Sequence, residues 1–234
     1  MSIRSSATTP QQQEPSLAIV VRRVTALAAI AGCVEAIGFM DLGGMVYPGI
    51  MTGNTVQLGL SIARAQWASL GIVALAIGLF VLGGILSSLI TRGLRQPLVN
   101  LVLIAVAIMV AGFARIHVPA RVPVELPLLA FAMAMQGDSM AKFGAVSLQT
   151  IVVTSNMVRF SDALVGRYLC ASRASRSADR VPAFRDVLLP GLAWLGYSAG
   201  ACAGAAASFR FEYPLLIPSF LLLAMVGDLL WAGQ

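Results

Sequence analysis

Charge is scarce in this 234-residue chain: only 11% of its residues are Asp, Glu, Lys or Arg. Soluble domains of this size carry about a quarter, so a free-standing soluble fold is excluded. Cysteine is scarce too, and Cys33, Cys170 and Cys202 show neither CxxC nor any paired spacing, which implies no disulfide framework and no metal site. The single histidine, His117, sits beside Pro119 in a short polar connection and reads as a loop residue. There is no Walker loop, no dinucleotide fingerprint, no HExxH and no Ser-His-Asp set. No enzymatic activity and no cofactor are therefore expected.

Apolar residues are abundant, at 58%, and they gather in blocks long enough to span a bilayer core of about 30 Å. Six blocks are read, at roughly 24–44, 68–90, 98–114, 125–142, 187–208 and 213–232. The expected fold is an all-α integral membrane protein, with the lipid bilayer as its principal partner. Residues 1–16, polar and rich in Ser, Thr and Gln, read as a disordered tail. Arg22-Arg23, an apolar run and Cys33 mimic a lipoprotein signal, but the run continues through Phe39 and Leu42 and so reads as a span.

The net charge of +6 is a topology signal rather than a nucleic-acid one. With a cytoplasmic N-terminus, eleven arginines fall inside: 4, 22, 23, 92, 95, 159, 167, 173, 176, 180 and 185. Only Arg64, Arg115, Arg121 and Arg210 fall outside. The positive-inside rule then sets both termini in the cytoplasm.

A short phrase occurs twice. Met51-Thr52-Gly53-Asn54 follows the first span, and Val153-Thr154-Ser155-Asn156 follows the fourth. Each lies downstream of a polar side chain inside an apolar run, Glu35 in one copy and Gln136 in the other. The repeat divides the chain into a first three-helix unit, 17–116, and a second, 117–234, the latter carrying an Arg-rich cytoplasmic connection over 161–186. An odd number of spans per unit reverses the second copy, so a 3+3 inverted repeat with helix breaks after the first and fourth spans is expected. Thr52 to Thr55 offer side-chain caps for a short helix over about 55–64.

Glu35, near the middle of its span, is the first candidate. A bare carboxylate at bilayer depth costs about 2.5–3.5 kcal/mol on the lenient scales, so it is either a proton or cation site or a structural hydrogen-bond acceptor. Gln136, almost at the matching position, is its candidate partner or else interhelical glue. Thr52, Gly53, Asn54, Thr154 and Asn156 read either as turn and cap residues or as ligand-facing amides and hydroxyls at helix starts. Asp138 and Lys142, four apart, form a salt pair or a gate that opens when the pair breaks. Asp41 and Asp228 read as interfacial or paired structural acids. Gly196, Gly200 and Gly204 form a GxxxG series for close helix approach, leaving room for a homodimer face.

The segment Gly32-x-x-Glu35-Ala36-Ile37-Gly38-Phe39, then Met51-Thr52-Gly53-Asn54-Thr55, Met135-Gln136 and Thr150-x-x-x-Thr154-x-Asn156, resembles the YoaK-type family of bacterial inner-membrane proteins. The resemblance covers roughly residues 24–232. Members usually show Asp where this chain has Glu35 and Gly where it has Ser155. It implies a small six-helix membrane protein whose domain has no agreed activity. From the residues, the expected function is a transporter or channel for a small polar solute or ion, proton-coupled if Glu35 titrates. The competing expectation is a membrane interaction or signalling subunit whose Arg-rich loop binds a cytoplasmic partner.

Overall fold

A computed structural model describes residues 16–94, 97–143, 153–169 and 181–232. The described residues are helical or irregular, with no strand among them. The chain runs α1 (Leu17–Asp41), α2 (Met51–Ala63), α3 (Trp67–Leu94) and α4 (Pro97–Ala114). A single 3-10 turn (Val118–Ala120) and a π-helical turn (Arg121–Glu125) then lead into α5 (Leu126–Phe143). α6 (Val153–Leu164) ends in a second π-helical turn (Val165–Leu169), and α7 (Phe184–Arg210) and α8 (Leu216–Ala232) complete the order. Among the described residues, four stretches are long and apolar enough to cross a membrane, namely Leu17–Asp41, Trp67–Arg92, Val118–Gly137 and Phe184–Arg210. Leu98–Ala114 and Leu216–Trp231 are shorter apolar helices. α1 is unbroken through Cys33, which is buried inside the bundle.

The tightest contact is between α1 and α7, and it is made by glycine. Gly196, Gly200 and Gly204 meet the carbonyls of Thr25, Ala29 and Cys33, which are also spaced by four. A Cβ at Gly204 would stand 2.5 Å from the Cys33 oxygen, and one at Gly200 would collide with that of Ala29. Gly32 answers from α1 against the Tyr197 carbonyl. Backbones this close gain dispersion contacts where lipid offers no hydrophobic drive between helices.

Elsewhere α3 packs on α5, α4 on α5 and α8, α2 on α3, and α6 on α7. Leu27, Ile37, Leu101, Ile104, Ile108, Leu129, Met133 and Leu222 fill the centre. The outer face of α3 carries exposed Val81, Leu82, Ile85, Leu86 and Leu89, apolar surface suited to acyl chains. Asn100 of α4 donates to the hydroxyls of Ser87 and Thr91 on α3, both at 3.0 Å, so a buried amide joins two otherwise greasy helices.

Two of the expected boundaries shift. α2 starts at Met51, so Thr52 to Thr55 lie inside its first turn and no side chain caps it. The reason is that a carboxylate from α1 takes over the end, as described below. The connection assigned to 161–186 is partly helical, since α6 and its π-helical turn run on to Leu169. The 1–16 tail lies outside the described residues apart from Ser16, as do residues 170–180 of that connection.

Candidate functional site

α1 ends where Gly43 and Gly44 adopt φ of +72° and +70°, a left-handed reversal that a side chain would strain. The chain then turns back alongside α1 instead of leaving the bundle. Pro48 lies against Gly38, where an added Cβ would be 2.6 Å from its Cγ. Gly49 is wedged between Glu35 and Met133 of α5. Glu35 precedes the end of α1 by six residues, about 9 Å of helix, so the loop descends by that much to reach it.

There Glu35 Oε1 accepts the backbone N–H groups of Gly49 (3.1 Å) and Ile50 (3.2 Å), immediately before α2. A carboxylate thus sits at the positive end of a short helix, where its charge opposes the helix dipole. The side chain is 3% exposed, and its Oε2 has no hydrogen-bond partner among the described residues. A Cβ at Gly49 would fall 2.8 Å from that oxygen and 2.9 Å from the Met133 methyl, so a larger residue here would have to push both side-chain ends aside. Tyr197 of α7, also buried, lies within electrostatic range of both Glu35 and Tyr47.

Asn54 fixes the loop from the other side. Its Oδ1 accepts the Tyr47 N–H at 2.8 Å and its Nδ2 donates to the Tyr47 carbonyl at 2.7 Å. The amide imitates a strand neighbour for one loop residue and is fully buried in doing so. Gly53 makes room for the Tyr47 ring, which stacks on Phe39 with centroids 4.2 Å apart. Thr52 is exposed, and Thr55 returns its hydroxyl to the Met51 carbonyl.

Gln136 is fully buried, but it does not meet Glu35. Its Nε2 donates to the Leu27 carbonyl at 2.9 Å, eight residues before Glu35 and so about 12 Å away along α1. The two matched polar groups therefore mark two levels of the bundle rather than one direct pair. Gln136 Oε1 has no partner among the described residues. Asn156 is buried at 1% exposure, as its counterpart Asn54 is, while Thr154 is exposed like Thr52. The side chains of Asp138 and Lys142 lie outside the described residues. Of the Arg-rich connection, Arg167 donates to the Pro182 carbonyl at 3.0 Å and faces the rings of Tyr168 and Phe184. The paired roles expected of Asp41 and Asp228 are met by Arg115 and Arg22 respectively.

Sequence reasoning missed Tyr47, Gly49 and Glu125. Gly49 carried a signal in the Pro48-Gly49 break, although nothing in it named Glu35 as the neighbour. Glu125, fully buried, was hidden by its place at the edge of an apolar block.

No solved structure matches the chain. A curated relative, the UPF0700 transmembrane protein YoaK of Bacillus subtilis (strain 168), is 26% identical over 220 residues, which is 89% of this chain and 94% of that protein. The family model described as "Protein of unknown function (DUF1275)" matches residues 24–227, a stretch that contains Glu35, the re-entrant loop, Gln136 and both Asn positions. The chain belongs to this DUF1275 family of membrane proteins, to which its resemblance to YoaK also points.

Proposed function

We propose that the chain is a six-span inner-membrane transport protein for a small polar solute or ion, with both termini cytoplasmic and Glu35 as its proton-carrying group. One observation carries this reading. From within a candidate membrane span, Glu35 holds the loop at the start of the separate helix α2 with one oxygen, and leaves the other without a donor among the described residues. An acid serving only as a cap would engage both oxygens, because an unmatched buried oxygen costs about 1–3 kcal/mol. Irregular backbone at such depth is tolerated where it is buried in protein or lines a cavity. Discontinuous helices of this kind hold coupling ions in membrane transporters.

The helix pairing supports the inverted 3+3 repeat. Exchange α1 to α4 for α5 to α8 in order, and the α1–α7 contact becomes α5–α3. By the same exchange α2–α3 becomes α6–α7, α4–α5 becomes α8–α1, and α4–α8 maps onto itself. All of these contacts are present. α4 and α8, with 18 and 17 residues, are about 26–27 Å long. That suffices for a thin hydrocarbon core of about 27 Å, with small mismatch taken up by the lipid.

The test uses the proton itself as probe. Proteoliposomes holding a pH-sensitive dye, driven by a potassium diffusion potential, should acidify or alkalinise through the native chain. Flux should fall to that of empty vesicles in Glu35→Gln. Equal flux in native and variant chains sinks the proposal. Separately, in a chain freed of Cys33, Cys170 and Cys202, Met133→Cys reports water beside the Glu35 site. A membrane-impermeant thiol reagent should reach it in intact cells or in inverted vesicles, and protection from both sides counts equally against transport.

A further inference from the structure

The outer end of the bundle holds a second buried acid site, about 9 Å along α1 from Glu35. Asp41, the last residue of α1, is 8% exposed, and Glu125, at the end of the π-helical turn, is fully buried. Arg115 at the end of α4 binds Asp41 Oδ2 through Nε at 2.6 Å. The same guanidinium donates through Nη1 to the carbonyls of Glu212 (2.9 Å) and Phe211 (3.4 Å) in the turn between α7 and α8. Arg121 donates to the Arg115 carbonyl at 3.1 Å and to the Asp41 carbonyl at 3.3 Å. None of these bonds goes to the Glu125 carboxyl, on which both guanidiniums act through their charge.

Glu125 is what this network leaves over. Neither of its oxygens receives a hydrogen bond from any described donor, yet its carboxyl lies at hydrogen-bonding distance from that of Asp41. Two carboxyl groups in such contact make a hydrogen bond only when one of them carries a proton. Their chain neighbours Leu42 and Leu126 belong to a buried apolar cluster with Val46, Val73 and Ala76. A π-helical turn brings Glu125 into this position, and such turns recur at functional sites. Pro123 within it supplies no N–H to hold the turn in α-helical register.

We propose that Asp41 and Glu125 are a proton-binding site that shares one proton between two carboxyls and holds the outer end of the bundle closed. The groups facing the pair are Arg115 from α4 and Arg121 from the segment before α5. With the proton in place, Asp41 pairs with Arg115 while Glu125 donates to Asp41. When Glu125 releases that proton to the outside water, two bare carboxylates are left side by side with no donor between them. Arg115 ties α1, α4 and the α7–α8 turn together, so that repulsion loosens all three at once. The outer face then responds to outside pH whether or not Glu35 carries protons.

The test places Leu42→Cys in the full chain freed of Cys33, Cys170 and Cys202, reconstituted in nanodiscs, and follows labelling by an impermeant thiol reagent against pH. Labelling, taken relative to a free-thiol standard at each pH so that the thiolate fraction cancels, should rise as the pH rises. Glu125→Gln, whose amide donates to Asp41 permanently, should abolish the pH dependence and leave labelling at the low-pH rate. Glu35→Gln should keep the native profile. An unchanged profile in Glu125→Gln overturns the proposal, as does a flat profile in the native background. Loss of the dependence in Glu35→Gln alone would assign the proton to the other site. Infrared titration of the native chain adds a readout that needs no labelling. The carbonyl stretch of a protonated carboxyl should disappear with rising pH, and Glu125→Gln should remove it while Glu35→Gln spares it. Should Glu125→Gln fail to fold, Asp41→Asn interrupts the same shared proton and should remove the same band; a band that survives it overturns the assignment.

Discussion

The two ends of α1 are each tied down by an arginine–aspartate pair, and the pairs differ in almost everything else. At the end nearer the N-terminus, inner in the proposed topology, Arg22 meets Asp228 of α8 with side chains 62% and 40% exposed. At the far end, outer in that topology, Arg115 meets Asp41 with side chains 12% and 5% exposed. Water screens the first pair and leaves its partners nearly free to part. The second has given up its water, so each charge depends on the other and on the carbonyls around it. The same two residue types thus make a surface contact at one end and a structural lock at the other. Burial sets the difference, and burial comes from the turn that folds back after α1 and from the π-helical turn before α5.

The largest effect should come from breaking the lock. Arg115→Ala strands Asp41 and Glu125 together without a cation on Asp41, and losing one partner of a buried pair costs about 3–5 kcal/mol. Denaturant titration of the detergent-solubilised chain should show that loss. A cost below about 1 kcal/mol would mean that the outer end is as solvated as the inner one.

A smaller gradient should follow along the α1–α7 contact, which joins the two ends. A Cβ at Gly200 or Gly204 meets carbonyl backbone that cannot yield, whereas at Gly196 the nearest oxygen is 2.9 Å away. Overpacking of this kind costs about 1–3 kcal/mol. Gly200→Ala should stand highest in that range and Gly196→Ala lowest. Equal losses at all three positions would show that the helices separate as rigid rods, without tighter contact in the middle and at the outer end.

Much of this could be read from the residues, and what could not has a physical reason. Six apolar blocks coincide with six of the eight α-helices among the described residues, four of them in stretches long and apolar enough to cross a membrane. The GxxxG spacing pointed to close helix approach, and the approach is there between α1 and α7. Glu35 stood out because an acid in an apolar run is costly wherever it faces. Its partner did not, since a backbone N–H has no signature in sequence and Gly49 lies fourteen residues away. Asn54 read as a cap or a ligand group, but a side-chain amide that pairs with a loop residue seven positions back looks the same in one dimension. By sequence Arg115 and Arg121 read as outside-loop charges. Their ties to Asp41 depend on α4 and the turn before α5 meeting the end of α1, which is a tertiary fact.

The smallest effect belongs to the inner pair, and its smallness is what gives the comparison its content. Arg22→Gln removes a contact between two exposed side chains, and such contacts contribute about 0.2–1 kcal/mol and less as salt rises. Stability should change by no more than that, and the difference from the native chain should vanish at about 1 M salt, where charges are screened within about 3 Å. The Arg115→Ala loss should persist at the same salt, because ions do not enter a site this closed. If salt erased both losses alike, the outer pair would be reached by water and its charge would be screened. The lock would then be only a second surface contact, and a proton held between Asp41 and Glu125 would have no barrier to the outside.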